Sequence, residues 1–503
     1  MAPARQFNTG LGHLGRGHYA NEDNNLCSLK AARYFGQVAA GDQKWNFVVA
    51  ANRLPVRRVW EGDTAKWVPS PGGLVSALRP VMSGNPDAAW VGWTGVPGPG
   101  TEPFEVDGFQ CHPVGVSQGE LQLFYEGFSN ATLWPLFHDA LVPPEYHRTW
   151  WDAYRTVNQR YAAAVAQLAA PGATVWIHDY HLLLVPGLLR AARPDLRIGF
   201  FLHIPFPARE LYIRLPWRSE IIDGLLGADL IGLQTALGAD NFCRAVNRIT
   251  GVKTTGRVIS RNGHTTQVGA FPIGIDVDRI ARLAADPGVR ARAEEIRETL
   301  GSPAAVLLGV DRLDYTKGIE VRLRAFRELL AEGRLSPDQC VLVQIAEPSR
   351  SQVTGYAEVR QAVEQMVGDV NGNFGVMGRP VVHYLHQSHP IEELVAMYLI
   401  ADVMLVTPLR DGMNLVAKEY VACRPDSTGV LVLSEFTGAA QELRTAELIN
   451  PHDIEGLKTA MEAAAHRSGA DAEPAMRTMR RVVRTNTAQR WAERFLNRLD
   501  ACP

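Results

Sequence analysis

Residues 407–420 read Thr407-Pro-Leu-Arg-Asp-Gly-Met-Asn-Leu-Val-Ala-Lys-Glu-Tyr420. Ahead of them, Ala401-Asp-Val-Met-Leu-Val406 is an apolar run of buried-strand length. Pro408 and Gly412 break the chain, Asn414 is suited to cap a helix with its side-chain oxygen, and Leu415 to Cys423 reads as that helix. A strand therefore ends, a loop carries Arg410, Asp411 and Gly412, and a helix N-terminus points back at the loop. Free N–H groups and the positive end of the helix dipole make such a junction receptive to anions. Glu419 lies one turn beyond Leu415, where a carboxylate can accept a pair of sugar hydroxyls. An anion at the helix start and a sugar near an acid is the layout of a nucleotide site at the carboxyl end of a parallel strand. An ordinary strand–turn–helix with a solvated Arg-Asp pair is written in the same letters.

The surrounding second half alternates strands and helices. Strands are expected at Ala304–Val310, Cys340–Ala346, Val381–Leu385, Asp402–Val406 and Thr428–Leu433, with helices such as Ile319–Glu332, Val353–Gly368 and Ile391–Leu399 between them. This predicts a parallel sheet with helices on both faces. Asp311-Arg-Leu-Asp-Tyr-Thr-Lys317-Gly318 places Arg312 and Lys317 at a strand end, two cations suited to a diphosphate. A surface Arg-Asp pair of little energetic weight is the alternative. Ala346-Glu-Pro-Ser-Arg350 sets a further Arg at a strand end.

The first half begins at Asn46-Phe-Val-Val-Ala-Ala51, a buried-type strand running into Asn52-Arg53-Leu54-Pro55 and then a polar, hairpin-like stretch. Gly72-Gly73 opens a helix through Leu78; adjacent glycines let a backbone approach a phosphate closely, although most such pairs are only turns. Tyr125 and Trp134 are rings of the kind that pack on sugar faces, and core aromatics fit equally. A helix is expected from about Glu145 to Leu168, and strands at Thr174–His178 and Arg197–Leu202 end in Asp179 and His203. Polar residues after successive strands mark a ligand crevice in an open α/β sheet. Val252 to Ala270 predicts a hairpin turned at Arg261-Asn262-Gly263, and Phe271 to Asp276 a domain junction. The C-terminus, about Glu473 to Leu499, is expected to be helical and Arg-rich on one side, as solvated helix faces often are.

With 503 residues the chain is expected to form more than one domain. Apolar content of 46% and charged content of 21% suit a globular protein, and a net charge of −2 gives no support to nucleic-acid or membrane-surface binding. No apolar run approaches membrane-spanning length and no signal peptide is read at the N-terminus. The six cysteines form no CxxC pair, which predicts reduced thiols in a cytoplasmic enzyme and no zinc site. Residues 1–44, rich in Gly, Asn, His and Arg, are expected to be a poorly ordered extension.

Taken together the motifs resemble the trehalose-6-phosphate synthase family of retaining glucosyltransferases. They are Ala51-Asn-Arg-Leu-Pro55, Gly72-Gly73-Leu74, Phe128-Ser-Asn-Ala-Thr-Leu-Trp-Pro135, Ile177-His-Asp-Tyr-His-Leu-Leu183, Phe200-Phe-Leu-His-Ile-Pro-Phe-Pro207, Phe271-Pro-Ile-Gly-Ile275, Asp311–Gly318 and Thr407–Tyr420, in the family's order over about residues 46–500. The resemblance implies an α/β fold of GT-B type, two Rossmann-like doubly wound parallel-sheet domains facing a central cleft. It sets an acceptor-side domain at 45–271, a donor-side domain at 272–475, and C-terminal helices at 476–503 crossing back. Arg53, Tyr125, Trp134, Asp179 and Arg350 would bind glucose 6-phosphate, the arginines on its phosphate. Gly72, Gly73, Arg312, Lys317, Leu415, Val416 and Glu419 would bind the nucleoside diphosphate. Asp411, Gly412, Met413, Asn414 and His203 would surround the transferred glucose. The catalytic set would be His203, Asp179, Arg312, Lys317 and Asp411. The family often has Glu where this chain has Asp311, and the loop His386–Pro390 leaves the donor base, uridine or adenine, open.

The reaction implied is transfer of glucose from UDP-glucose or ADP-glucose to glucose 6-phosphate. Strand-end cations in place of an Asp-x-Asp pair predict metal-independent transfer without a cofactor. A related synthase, such as one making glucosylglycerol phosphate, is the alternative within the fold. An NAD-dependent oxidoreductase would need a GxGxxG loop after the first strand, and Ala51-Asn-Arg-Leu-Pro55 is not one. A catalytically dead sensor would be expected to lack Arg312, Lys317 or Glu419. The oligomeric state, dimer and tetramer included, is left open by the sequence.

Overall fold

Apolar runs of the sequence become the inner strands of two sheets in the computed structural model, which describes residues 44–503 except 62–63, 71–72, 84, 350–353 and 468. The expected extension at 1–44 therefore lies almost wholly outside the described residues. In spatial order the first sheet runs Val258–Arg261, His264–Ala270, Leu230–Leu233, Arg197–Leu202, Ala169–His178, Trp45–Arg53, Ala88–Trp93, Phe109–Pro113 and Phe104–Val106. The second runs Val382–Leu385, Cys340–Glu347, Ala305–Arg312, Val403–Val406, Val430–Ser434 and Glu447–Ile449. Every pairing in the second sheet is parallel. The first sheet is parallel except for a hairpin at each edge. Ala88–Trp93, Leu230–Leu233 and Val403–Val406 are buried at every residue, the pattern of strands covered on both faces.

The hairpin expected at Asn262-Gly263 forms, with both residues left-handed (φ 52° and 78°), as a tight two-residue turn requires. Three features depart from the sequence reading. The strands Phe104–Val106, Phe109–Pro113 and Glu447–Ile449, at or beside a sheet edge, are too short to show a period. Leu121–Leu133 is a helix of wide i→i+5 turns, whose spacing leaves no 3.6-residue signal. The expected C-terminal helices are Gly469–Thr485 and Ala488–Asp500, with a break at Asn486-Thr487 that the sequence reading did not place, where Thr487 accepts the Arg490 N–H at 3.2 Å.

That break is where the chain returns from the second sheet to the first. Trp491 and Phe495 of the last helix pack on Trp176 of the first sheet, with ring centroids 5.0 and 4.7 Å apart. The outward crossing, Phe271 to Asp276, runs beside it: the Ala488 N–H donates to the Ile275 carbonyl at 3.0 Å. Buried Lys418 joins both crossings to the helix Leu415–Ala422. Its ammonium donates to the Ile273 carbonyl at 2.6 Å and to Glu442 at 2.5 Å, and Glu442 also accepts from Asn486 at 2.8 Å. Burial pushes the Lys418 pKa down, and Glu442 opposes that shift.

Gly274 sits where the crossings touch, and a Cβ there would run into the Asn486 carbonyl and the Thr487 backbone. Gly274→Ala is expected to destabilise the protein by about 1–3 kcal/mol, the usual cost of overpacking against backbone. Chemical denaturation checks this; an unchanged midpoint would show that the crossings can part without cost.

Candidate active site

The site grows from two neighbouring parallel strands, Ala305–Arg312 and Val403–Val406. Beyond Arg312, Asp314 accepts the Thr316 N–H and hydroxyl at 3.0 and 2.8 Å, and the Tyr356 hydroxyl donates to its other oxygen at 3.0 Å. These bonds set one tight turn, Tyr315–Lys317, closed by left-handed Gly318. Beyond Val406, the Thr407 hydroxyl donates to the Gly318 carbonyl at 3.2 Å and the Leu409 N–H to the Thr316 carbonyl at 2.8 Å. The two loops are thereby held side by side, and Lys317 Nζ meets Asp411 Oδ2 at 2.5 Å with both side chains almost wholly covered. Burial alone would push the Asp411 carboxyl up; the adjacent Lys317 ammonium outweighs that and holds it below its ordinary value.

Beneath this pair lies Arg322, fully buried, donating to Asp311 at 2.9 Å, to Gln344 at 2.7 Å and to Thr407 at 3.1–3.2 Å. It spans three adjacent strands or their ends. Asp311, at the position where the resembled motif often carries Glu, finds its partner here.

Asn414 begins the helix Leu415–Ala422 from a left-handed conformation (φ 78°). Its side-chain oxygen accepts the Ala417 N–H at 3.0 Å and its amide donates to Asp411 at 3.3 Å. The N–H groups of Leu415 and Val416, in the first turn, have no intrahelical acceptor. Glu419 accepts the Tyr398 hydroxyl at 3.0 Å; burial pushes its pKa up, against the lowering effect of that bond.

The first sheet supplies the other wall. Arg53, at a strand end, lays its guanidinium over Trp93 at 4.4 Å and Tyr125 at 5.7 Å. Tyr125 stacks on His181 (5.7 Å, 10°), and Trp134 tilts against Tyr180 at 5.7 Å. Asp179 precedes both partners with φ 74°, a conformation that costs a non-glycine residue about 1–3 kcal/mol and recurs at functional sites. Its carboxylate accepts the His203 N–H at 3.2 Å. The His203 ring shares a hydrogen bond with His178 at 3.1 Å and packs on Phe201 and Trp491. Burial lowers the His203 pKa to about 3, so its imidazole is neutral at neutral pH.

The two walls touch. Arg312 lies over the Trp134 ring at 5.3 Å, and Arg410 pairs with Asp139 at 3.1 Å. Leu415 packs against Gly73, and Gly412 lies so close to the His203 carbonyl that a Cβ would not fit. Buried Met413 accepts the Ala439 N–H on its carbonyl at 2.8 Å, which anchors the loop from behind. The structure thus brings together Arg53, Gly73, Tyr125, Trp134, Asp179, His203, Arg312, Lys317 and residues 411–416 along one boundary, with Glu419 on the same helix. Gly72 and Arg350 lie outside the described residues.

Sequence reasoning missed Tyr398, Arg322 and His138. Tyr398 sits in an apolar helix that reads as core, and Arg322 is a lone cation on a helix face. His138 is buried against Trp134, and its Nδ1 donates to the Trp134 carbonyl at 2.8 Å. Among the described residues one carboxylate group has metal-ligand spacing, Glu328, Glu332 and Glu455. Its centre is filled by the Lys458 ammonium at 2.6–3.2 Å.

Two doubly wound sheets meeting at strand-end charges are the GT-B architecture of glycosyltransferases. The family model for "Glycosyltransferase family 20" matches residues 45–501. The trehalose-6-phosphate synthase of Mycobacterium sp. (strain KMS) is 54% identical over 473 residues, covering 92% of this chain and 96% of the relative. That of Mycolicibacterium smegmatis is 54% identical over 467 residues, covering 91% and 92%. Among solved structures, an alpha,alpha-trehalose-phosphate synthase (UDP-forming) from Burkholderia xenovorans in complex with glucose-6-phosphate has a TM-score of 0.84 at 34% identity, covering 91% of this chain and 100% of that one. A protein from E. coli described as trehalose-6-phosphate, bound with UDP-2-fluoro glucose, has a TM-score of 0.82 at 34% identity, covering 90% and 99%. The chain belongs to glycosyltransferase family 20, the trehalose-6-phosphate synthase family.

The buried histidines fix how stability responds to acid. Burial lowers His203 to about 3 and His138 to about 4, against an ordinary value of 6.5. Between those values the unfolded chain binds protons that the folded chain refuses, so stability falls as pH drops from about 6.5 toward 4. Denaturation midpoints across that range are expected to decline, and less steeply in His138→Gln. A flat profile would show that these imidazoles protonate in place.

Proposed function

We propose that the protein transfers glucose from UDP-glucose to glucose 6-phosphate with retention, forming α,α-trehalose 6-phosphate. The observation that carries this reading is the placement of Arg312 and Lys317 at one strand end, beside a helix start whose Leu415 and Val416 N–H groups have no intrahelical acceptor, with Arg312 over Trp134 of the opposite wall. Such a cradle suits a diphosphate, and the aromatic wall suits a sugar. The relatives bound with glucose-6-phosphate and with UDP-2-fluoro glucose support both substrates.

In this reading the diphosphate lies on Arg312, Lys317 and the N–H groups of Leu415 and Val416, and Glu419 accepts the ribose hydroxyls. The glucose sits among Asp411, Gly412, Met413, Asn414 and His203, whose neutral ring can hydrogen-bond a hydroxyl. The acceptor lies on Tyr125 and Trp134, with Arg53 and Arg350 on its phosphate and Asp179 at the junction of the two sugars. As the C1–O bond to the diphosphate breaks, negative charge grows on the phosphate oxygens, where the cations and the helix start stabilise it. The acceptor hydroxyl bonds to C1 on the same face and its proton passes to the departing phosphate. With the leaving charge answered by Arg312 and Lys317, transfer needs no divalent metal. Sugar-facing rings favour glucose 6-phosphate over a glycerol phosphate acceptor.

The test is product analysis by NMR with glucose 6-phosphate and either UDP-glucose or ADP-glucose, with and without EDTA. The expected result is an α,α-1,1-linked disaccharide phosphate, faster from UDP-glucose and unaffected by EDTA. Transfer that needs added Mg²⁺, or that occurs only to glycerol phosphate, would contradict the reading.

A further inference from the structure

The arginine-rich face of the C-terminal helices is not a simple solvated surface. Arg477, Arg480, Arg481 and Arg484 of the helix Gly469–Thr485 and Arg490 of the next helix line, with Thr485, a pocket of about 420 Å³. That volume lies within the range of small-ligand sites.

The charge around it is poorly balanced. Among the described residues Glu473 pairs with Arg477, and Asp426 acts on Arg480 from beyond ion-pair contact. Exposed guanidiniums normally spread into water; here two are held. Half-buried Arg480 donates to the Pro425 carbonyl at 3.0 Å and the Ser427 hydroxyl at 3.1 Å. Arg490 folds back across the helix break to the Thr485 carbonyl at 3.0 Å. Burial and the like charge of Arg484 both disfavour the charged form of Arg480, a cost that an anion in the pocket would relieve.

The pocket straddles Asn486-Thr487, the return crossing, with cations on the helix that lies against Leu415–Ala422 and on the helix that packs on Trp176. We propose that this pocket is a second anion site, taking a small molecule with two or more phosphate groups, and that its occupant braces the crossing between the two halves. One phosphate satisfies about two guanidiniums in bidentate fashion, so a cluster of this size calls for a multivalent ligand.

The test is calorimetric titration of the full chain with inorganic triphosphate, in wild type, Arg480→Gln/Arg484→Gln and Arg312→Gln. The expected result is two binding events in wild type, one of which persists in Arg312→Gln, whose lost cation belongs to the donor cradle, and weakens by about tenfold or more in the double variant. Triphosphate is also expected to raise the thermal midpoint of Arg312→Gln, and no longer to do so once Arg480→Gln and Arg484→Gln are combined with it. Binding lost in Arg312→Gln and kept in the double variant would place the anion in the donor cradle and overturn the proposal. No binding would do the same, as would binding of a single-stranded oligonucleotide with no response to triphosphate.

Discussion

A buried ammonium beside a buried carboxylate is stable only when the geometry around both is fixed, because each charge has lost its water. The Lys317–Asp411 pair is such a contact, and the rest of the site follows from holding it. Asp314 and Tyr356 fix the turn that delivers Lys317. Thr407 and Gly318 hold the neighbouring loop in register, and Asn414 fixes Asp411 from the helix side. Arg322 supports both strands from below with four hydrogen bonds of its own. The pair is therefore fixed in place by its scaffold, and under the proposed function Lys317 turns to phosphate oxygens without that scaffold rearranging.

The opposite wall is organised by a different constraint. Its strands end in residues whose side chains are held by rings: Arg53 over Trp93 and Tyr125, His203 against Phe201 and Trp491. Stacking fixes these groups without neutralising their polar ends, which suits recognition of a phosphorylated sugar. The walls are tied away from the site as well, where Lys418 and Glu442 join both crossings to the helix of Glu419. Position at the crossing and position of the helix start are thus mechanically linked.

The sequence made the central parts of this arrangement legible because they are local. Thr407–Tyr420 carries its strand end, loop and cap within fourteen letters, and Asn262-Gly263 can hardly be other than a tight turn. Partnerships across long separations were not legible. Tyr398 looks like core until the fold sets it against Glu419, and Arg322 looks like a surface cation until three neighbouring strands supply its partners. The wide-turned helix Leu121–Leu133 escaped because its spacing matches neither a helical nor a strand period. The break at Asn486-Thr487 escaped because helix-forming residues flank it on both sides, and only the crossing between sheets requires it.

The claim that Arg312 and Lys317 form the donor diphosphate cradle is tested most directly by calorimetric binding of UDP to wild type, Arg312→Gln and Lys317→Met. Loss of one charge-assisted contact is worth about 1.5–3 kcal/mol, so each variant is predicted to bind UDP at least about tenfold more weakly. UDP affinity that is unchanged in both variants would contradict the account, because the phosphates would then lie elsewhere.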